Sequence, residues 1–263
     1  MLKRVLTGVI GVPLLIFLVW SGGFILKVSS LLVVLLALKE FYDSFNHRSI
    51  FPLSYVGYIY TIFIFLNTTS AYINLAFVLV TITTLLIFLF TKKITYTDVS
   101  ITLLGFLYIP YLLIHIILAA NLSTGLFVWF IFIIAWCADT SAYFAGNFLG
   151  SKIFGSRKLF PEVSPKKTIE GFFGGILGSV IASFLFSYLF IPEFIFHSII
   201  MGFLGSIISQ GGDLVASRIK RSVGIKDFGN IMPGHGGILD RFDSILLVAP
   251  FVYYYVIFFL NGL

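Results

Sequence analysis

Charge is what this sequence has least of. Only 11% of its 263 residues are Asp, Glu, Lys or Arg against 59% apolar, and the mean hydropathy of +1.06 lies far outside the range of water-soluble domains. A soluble globular core is thereby excluded. Cysteine is nearly absent as well: Cys137 is the single one and sits inside an apolar stretch, so an internal disulfide, a cysteine metal cluster and dithiol redox chemistry all drop out. The period-two alternation of an outer-membrane barrel is missing, because the apolar runs are unbroken Leu, Ile, Phe and Val. No small-residue cleavage site follows Lys3, Arg4 and the first apolar stretch, which therefore reads as an uncleaved span rather than a secretory signal.

What is present is a series of apolar stretches, each near the roughly 20 residues that a helix needs to cross a bilayer. They cover residues 5–21, 23–38, 51–67, 72–91, 100–119, 122–148, 168–190, 194–216 and 244–260. Only Ser21, Gly22 and Gly23 part the first two, but Val5 to Leu38 is too long for one ordinary span. The expected fold is an all-α polytopic membrane protein with about nine transmembrane helices. With the N-terminus in the cytoplasm, Lys3 and Arg4, Lys39 and Arg48, Lys92 and Lys93, and the basic loops at 152–167 and 218–241 all fall on the inner side, and only Lys27 lies near an outer turn. The connections at 67–71 and 121–125 carry no basic residue, and an odd number of spans leaves the C-terminus outside. The formal charge of +6 thus describes a basic inner face that attracts anionic membrane lipids. Nucleic acid is excluded as a partner, since basic clusters broken up by spanning helices make no groove for a duplex or a strand.

The two halves differ in chemistry. Residues 1–120 hold three acids, Glu40, Asp43 and Asp98, placed in inner loops where water reaches them; this half is predicted to be a scaffold. Eight of the eleven acidic and ten of the seventeen basic residues lie between Asp139 and Asp243, so residues 121–263, with cytoplasmic loops 149–167 and 217–243, are predicted to be the catalytic region. In the sixth stretch Asp139, Tyr143 and Asn147 recur at helical spacing, and an acid within a span usually faces a cavity. Ser164 before Pro165 reads as a helix start, capped by the serine, with Lys166 and Lys167 in a first turn that suits a bound phosphate. Gly171 with Gly175 and Gly174 with Gly178 form two small-xxx-small repeats, a helix-packing face. Asp213, Ser217 and Arg221 recur every four residues with Lys220 adjoining, and Asp213 either pairs with a lysine or holds a metal ion. Pro233, Gly234, Gly236 and Gly237 give a tight turn that can approach a bulky anion, and Asp240 and Asp243 supply the hard oxygens that suit Mg²⁺.

The last of these runs carries a resemblance. Ser217, Lys220, Arg221, Lys226, Asp227, Pro233 to Gly237, Ile238, Asp240, Arg241, Phe242 and Asp243 match, at every fixed position over 27 residues, the signature of the phosphatidate cytidylyltransferase family, also called CDP-diacylglycerol synthases. The stretches DTSAYFAGNFLG and SPKKTIEGFFGG resemble that family too, so the likeness covers about Asp139 to Asp243. It implies transfer of CMP from CTP to phosphatidate in phospholipid biosynthesis, with Mg²⁺ required, in an inner (plasma) membrane protein whose site faces the cytoplasm, and a homodimer. Asp213 and Asp240 are expected to hold the metal, with a second metal or a monovalent cation left open. Lys220, Arg221, Lys226, Asp227, His235 and Asp243 are expected at the reacting phosphates, His235 positioning phosphate or protonating the pyrophosphate that leaves. Asp139, Asn147, Ser164, Lys167, Ser217, Gly234, Gly236, Gly237 and Arg241 are expected to bind the substrates. Two rival readings stand beside this one. A lipid-alcohol kinase using CTP would need a base for the hydroxyl. A transporter would usually show repeated halves, and these two halves do not resemble each other.

Overall fold

The computed structural model describes residues 2–149, 158–231 and 236–260. Among the described residues the helices are α1 (Leu2–Ser21), α2 (Gly23–Phe45), α3 (Ser54–Leu66), α4 (Ser70–Phe90), α5 (Tyr96–Phe106), α6 (Leu112–Ala120), α7 (Phe127–Leu149), α8 (Ile169–Phe190), α9 (Ile195–Val223) and α10 (Leu239–Phe259). A short antiparallel hairpin, β1 (Lys158–Phe160) and β2 (Ser164–Thr168), lies between α7 and α8. Helices α5 and α6 run on as one rod, Tyr96–Ala120, loosened into a π-helical turn at Leu107–Tyr111 where Pro110 has no N–H to give to the ladder. The described chain thus has nine helical rods, as many as the apolar stretches in the sequence. Six are long and apolar enough to cross a membrane: Ser70–Phe90, Tyr96–Ala120, Phe127–Phe148, Ile169–Phe190, Pro192–Val223 and Leu239–Phe259. Of the others, α3 has only 13 residues, and α2, although 23 residues long, carries Lys27, Lys39, Glu40 and Asp43.

Ser164 does not open a helix. Ser164 to Thr168 is strand β2, paired with β1 in the register Lys158 opposite Thr168 and Phe160 opposite Ser164, and α8 starts one residue after it at Ile169. Thr168 is the cap: its Oγ1 accepts the N–H of Gly171 at 3.1 Å, with Glu170 in the first turn, where a carboxylate suits the positive end of the helix dipole. Lys166 and Lys167 therefore stand on a strand and make no first turn. Three residues separate β1 from β2, too few to show as a periodic pattern in the sequence.

The chain divides into two compact units, one of Met1–Asn121 with Ser222–Phe242, the other of Leu122–Arg221 with Asp243–Leu263. The first unit is built round aromatic side chains, with Phe41, Tyr42, Phe45, Phe106 and Tyr108 all buried. Tyr42 fits between Gly57 and Gly105, where an added Cβ would overlap its ring, and its hydroxyl donates to the Thr102 carbonyl at 2.8 Å. Of the three acids expected to meet water, only Asp43 is exposed; Glu40 and Asp98 are each 5% exposed. Asp98 sits in a capping box with Thr95 at the start of α5, and its Oδ1 also accepts the Phe51 N–H at 2.7 Å. In the second unit α7 and α8 are held close by the glycine face. A Cβ on Gly174 or Gly178 would run into Ala145 or Ser141, and one on Gly171 or Gly175 would lie 2.9 or 3.0 Å from the carbonyls of Ala142 or Ala138.

Candidate active site

In the second unit, helical spacing brings Asp139, Tyr143 and Asn147 of α7 onto the wall of one cavity of about 590 Å³. Its other walls include Lys158 of β1, Lys166 and Lys167 of β2, Gly171 and Phe172 of α8, and Gln210 and Asp213 of α9. Three lysines of the hairpin thus line a cavity whose apolar walls include Ala142, Leu159 and Phe172. Lys167 is fixed there: its Nζ lies 2.7 Å from Asp213 Oδ2 and donates to the Gln210 carbonyl at 3.1 Å. Gln210 in turn donates to the Phe172 carbonyl at 3.2 Å and to Ser206 Oγ at 3.3 Å, so α9 is tied to α8 where the lysine arrives.

The polar face of α9 continues one turn on, where Ser217 Oγ donates to Asp213 Oδ1 at 3.3 Å, and then to Lys220, whose Nζ lies 3.9 Å from Asp243 Oδ2. Asp243 belongs to α10, and the next residue joins it to α7: Ser244 donates its N–H to Asp243 Oδ1 at 2.8 Å and its hydroxyl to Asp139 Oδ2 at 2.9 Å. Asp243 is within Coulombic reach of Asp213, Lys220 and Asp139. Of the three carboxylates, Asp243 is buried, Asp213 half-buried and Asp139 exposed; the buried Asp243 carboxylate needs partners, which Lys220 and Ser244 supply.

The first unit contains the other part of the signature. Asp240, in the first turn of α10, is 8% exposed, and its Oδ2 accepts the N–H of Phe228 at 2.9 Å and of Gly237 at 3.0 Å. The carboxylate thus ties the backbone of Phe228 to that of Gly237. Gly236 has φ +83°, a conformation in which a side chain is strained, and a Cβ there would lie 3.1 Å from Asp240 Oδ2 and 3.4 Å from the Asp227 side chain. Lys226, Asp227 and Arg241 are exposed. Arg48 reaches this segment from the N-terminal half, donating to the Ser222 carbonyl at 3.0 Å.

The sequence pattern of the family described as "Cytidylyltransferase family" matches residues 2–259. The chain belongs to that family. Among curated relatives it is 32% identical to a phosphatidate cytidylyltransferase of Synechocystis over 98% of this chain and 97% of the relative. It is 41% identical to one of Bacillus subtilis over 63% and 61%, and 32% identical to one of Staphylococcus epidermidis over 94% and 95%.

Of the residues expected at the site, Asp139, Asn147, Lys167 and Asp213 share the cavity wall, and Ser217, Lys220 and Asp243 carry the same polar network onward. Ser164 is not on that wall; Arg221 is exposed at the C-terminal end of α9. Gly236, Gly237 and Asp240 lie together in the first unit. Gly234 and His235 lie outside the described residues. Sequence reasoning missed Lys158, Gln210 and Ser244. Lys158 was one more lysine in a basic loop, while Gln210 and Ser244 sit within apolar stretches, where a polar side chain was the only signal available.

The residues can be tested against the Mg²⁺ that the family resemblance implies. Among the described residues, no three His, Cys, Asp or Glu side chains come together so as to hold a metal ion by themselves. Mg²⁺ is usually held by only one or two carboxylates, with substrate phosphates and water completing the shell. Asp213 and Asp243, hard oxygen donors beside Ser217 and Ser244 and now balanced by Lys167 and Lys220, fit that pattern.

Proposed function

We propose that this chain transfers CMP from CTP to phosphatidate, giving CDP-diacylglycerol and pyrophosphate, as a Mg²⁺-dependent multi-pass enzyme of the inner membrane. The observation that carries the reading is the cavity where Lys158, Lys166 and Lys167 meet the carboxylates of Asp139 and Asp213, a setting for several phosphates and a cation together. In this reading all nine rods cross the membrane, the N-terminus and the loops 149–167 and 217–243 are cytoplasmic, residues 121–263 do the chemistry on a scaffold formed by 1–120, and the protein is a homodimer. The lipid's tails stay in the bilayer while its phosphate meets CTP at the inner face.

A phosphate oxygen of phosphatidate attacks the α-phosphorus of CTP in line; the new P–O bond forms as the bond to the β-phosphate bridge breaks, and pyrophosphate leaves with the electron pair. A phosphomonoester has its second pKa near about 6, so the nucleophile arrives largely ionised and no residue has to act as a strong base. Lys158, Lys166 and Lys167 bind and neutralise the triphosphate, and Lys220 and Arg221, at the end of α9, offset charge that builds on the leaving pyrophosphate. Asn147 offers an amide group that a pyrimidine edge can pair with. Asp213 keeps the metal role expected of it. Asp243, which feels the charge of Asp213, is the second donor, and Asp240, whose Oδ2 takes the N–H groups of Phe228 and Gly237, is the organiser of the turn. When bound, the divalent cation draws charge off the reacting phosphates. Lys226, Asp227, Gly234, His235 and Arg241 enter through the family signature, His235 as a donor to phosphate.

The test is product analysis with purified protein, CTP, phosphatidate and Mg²⁺. CDP-diacylglycerol is expected from the native chain, and Asp213→Asn and Asp243→Asn should each lose on the order of 10²-fold or more in turnover while remaining folded. Folded native protein that forms no CDP-diacylglycerol would overturn the reading.

A further inference from the structure

We infer that Glu40, in the half of the chain read as a scaffold, is a positioning residue for the signature turn: its carboxylate fixes the backbone of Gly237, Ile238 and Leu239 at the start of α10. Its kinetic consequence rests on the transferase reading above; its structural consequence rests on geometry alone. Glu40 lies near the C-terminal end of α2 and is 5% exposed. Its Oε1 accepts the N–H of Ile238 at 3.0 Å and its Oε2 the N–H of Leu239 at 2.9 Å, across separations of 198 and 199 residues. The first N–H groups of a helix have no partner within it, and they sit at the positive end of its dipole. Most helices meet that need with a local serine, threonine or aspartate; here a buried carboxylate from α2 meets it. A buried carboxylate is itself costly unless hydrogen-bonded, so each side of the contact requires the other.

Two glycines show how closely the contact is fitted. A Cβ on Gly229 or Gly237 would overlap the Glu40 carboxylate, so a side chain at either position would have to push that carboxylate off its amides, and at Gly237 no left-handed φ adds to the effect. Gly237 is a fixed position of the signature, and Glu40 gives it a physical reason. Asp240 Oδ2 takes the Gly237 N–H, so three successive amides, those of Gly237, Ile238 and Leu239, are held by two carboxylates and are not open to a substrate phosphate. Glu40 therefore acts on the reaction through the turn and touches no substrate. Asp243 stands one turn after Leu239 on the same helix, so a shift at the start of α10 would displace that carboxylate, and misplacement of about 1 Å in a catalytic constellation can cost on the order of 10²-fold.

The experiment uses the full chain in detergent: native, Glu40→Gln, Glu40→Asp, Gly237→Ala, and the double variant Glu40→Asp with Gly237→Ala. Turnover with CTP, phosphatidate and Mg²⁺ is measured beside hydrogen exchange of the peptide covering 236–242. Glu40→Gln turns an NH₂ toward one of the two amides. It is expected to lower kcat on the order of 10- to 100-fold, with the KM for CTP changed by less than about threefold. It should also speed exchange at Ile238 and Leu239 while the remainder of α10 keeps its protection. Gly237→Ala should cost a factor at least about threefold smaller in the Glu40→Asp background, where the carboxylate sits one methylene further back, than in the native one. A native kcat in Glu40→Gln, unchanged exchange at Ile238 and Leu239, or the same factor for Gly237→Ala in both backgrounds would each overturn the inference. If the native chain formed no CDP-diacylglycerol, the transferase reading alone would fail, and the exchange measurement would still decide the role of Glu40.

Discussion

The ion pair between Lys167 and Asp213 permits a sharp test of whether these groups serve the fold or the reaction. Their N–O distance is 2.7 Å, and the side chains are 21% and 28% exposed. At that distance, with an effective dielectric constant of about 20, the Coulomb attraction has a ceiling of about 6 kcal/mol. Desolvation and the entropy of holding two side chains reduce this, and neighbouring groups usually couple by about 0.5–3 kcal/mol. We therefore expect about 1–2 kcal/mol of coupling in stability, corresponding to about 2–8 °C in Tm at the scaling of a chain of this size. The perturbation is a double-mutant cycle of Lys167→Met and Asp213→Asn, followed by thermal melting in detergent and by turnover. Each single variant leaves one charge half-buried without its partner and should melt lower; the neutral double variant should recover most of that loss. Turnover should behave differently, falling on the order of 10²-fold or more in both singles and remaining low in the double, because the substrate phosphates still lack the cation and the metal its carboxylate. The exposed Asp43, changed to Asn, is the silent control. A double variant that regained turnover along with stability would reduce the pair to a structural strut, and Tm losses that simply added would show that the two side chains do not couple.

Other expectations follow from the same geometry. Thr168→Ala should cost about 0.5–2 kcal/mol of stability because it removes the cap of α8, whereas Ser164→Ala should leave the melting temperature nearly unchanged. Gly178→Val drives a side chain into Ser141 and should destabilise by about 1–3 kcal/mol or more, seen as a lower Tm with α7 and α8 pushed apart. With Cys137 replaced, cysteines at Ser164 and Asn230 should react with an impermeant reagent from the cytoplasmic side and one at Thr69 from the other; reaction of 164 and 69 from the same side would refute the nine-span topology.

The helical rods were legible because unbroken apolar runs have no other good solution in a bilayer, and the stripe of Asp139, Tyr143 and Asn147 because helical spacing alone brings such residues onto one face. The hairpin was not legible. Ser-Pro before two lysines is good helix-start chemistry locally, but Thr168, four residues on, makes the bond that opens α8, and the pairing of Lys158 with Thr168 leaves no periodic trace in three- and five-residue strands. Glu40 was hidden for a different reason. Its partners are backbone amides of Ile238 and Leu239, nearly 200 residues away, and no side-chain pattern records an amide. The lysine partner of Asp213 was foreseen as one of two alternatives, yet nothing in the sequence chose Lys167, since that choice depends on how β2 and α9 meet.

The central claim is that phosphatidate attacks the α-phosphorus of CTP, and the fate of a radioactive label tests it most directly. Purified protein is supplied with phosphatidate, Mg²⁺ and CTP labelled either at the α-phosphorus or at the terminal phosphorus, and the lipid extract is counted. The α-label should appear in the lipid and the terminal label should leave as pyrophosphate. Terminal label in the lipid, with none from the α position, would contradict the account and make the protein a lipid kinase.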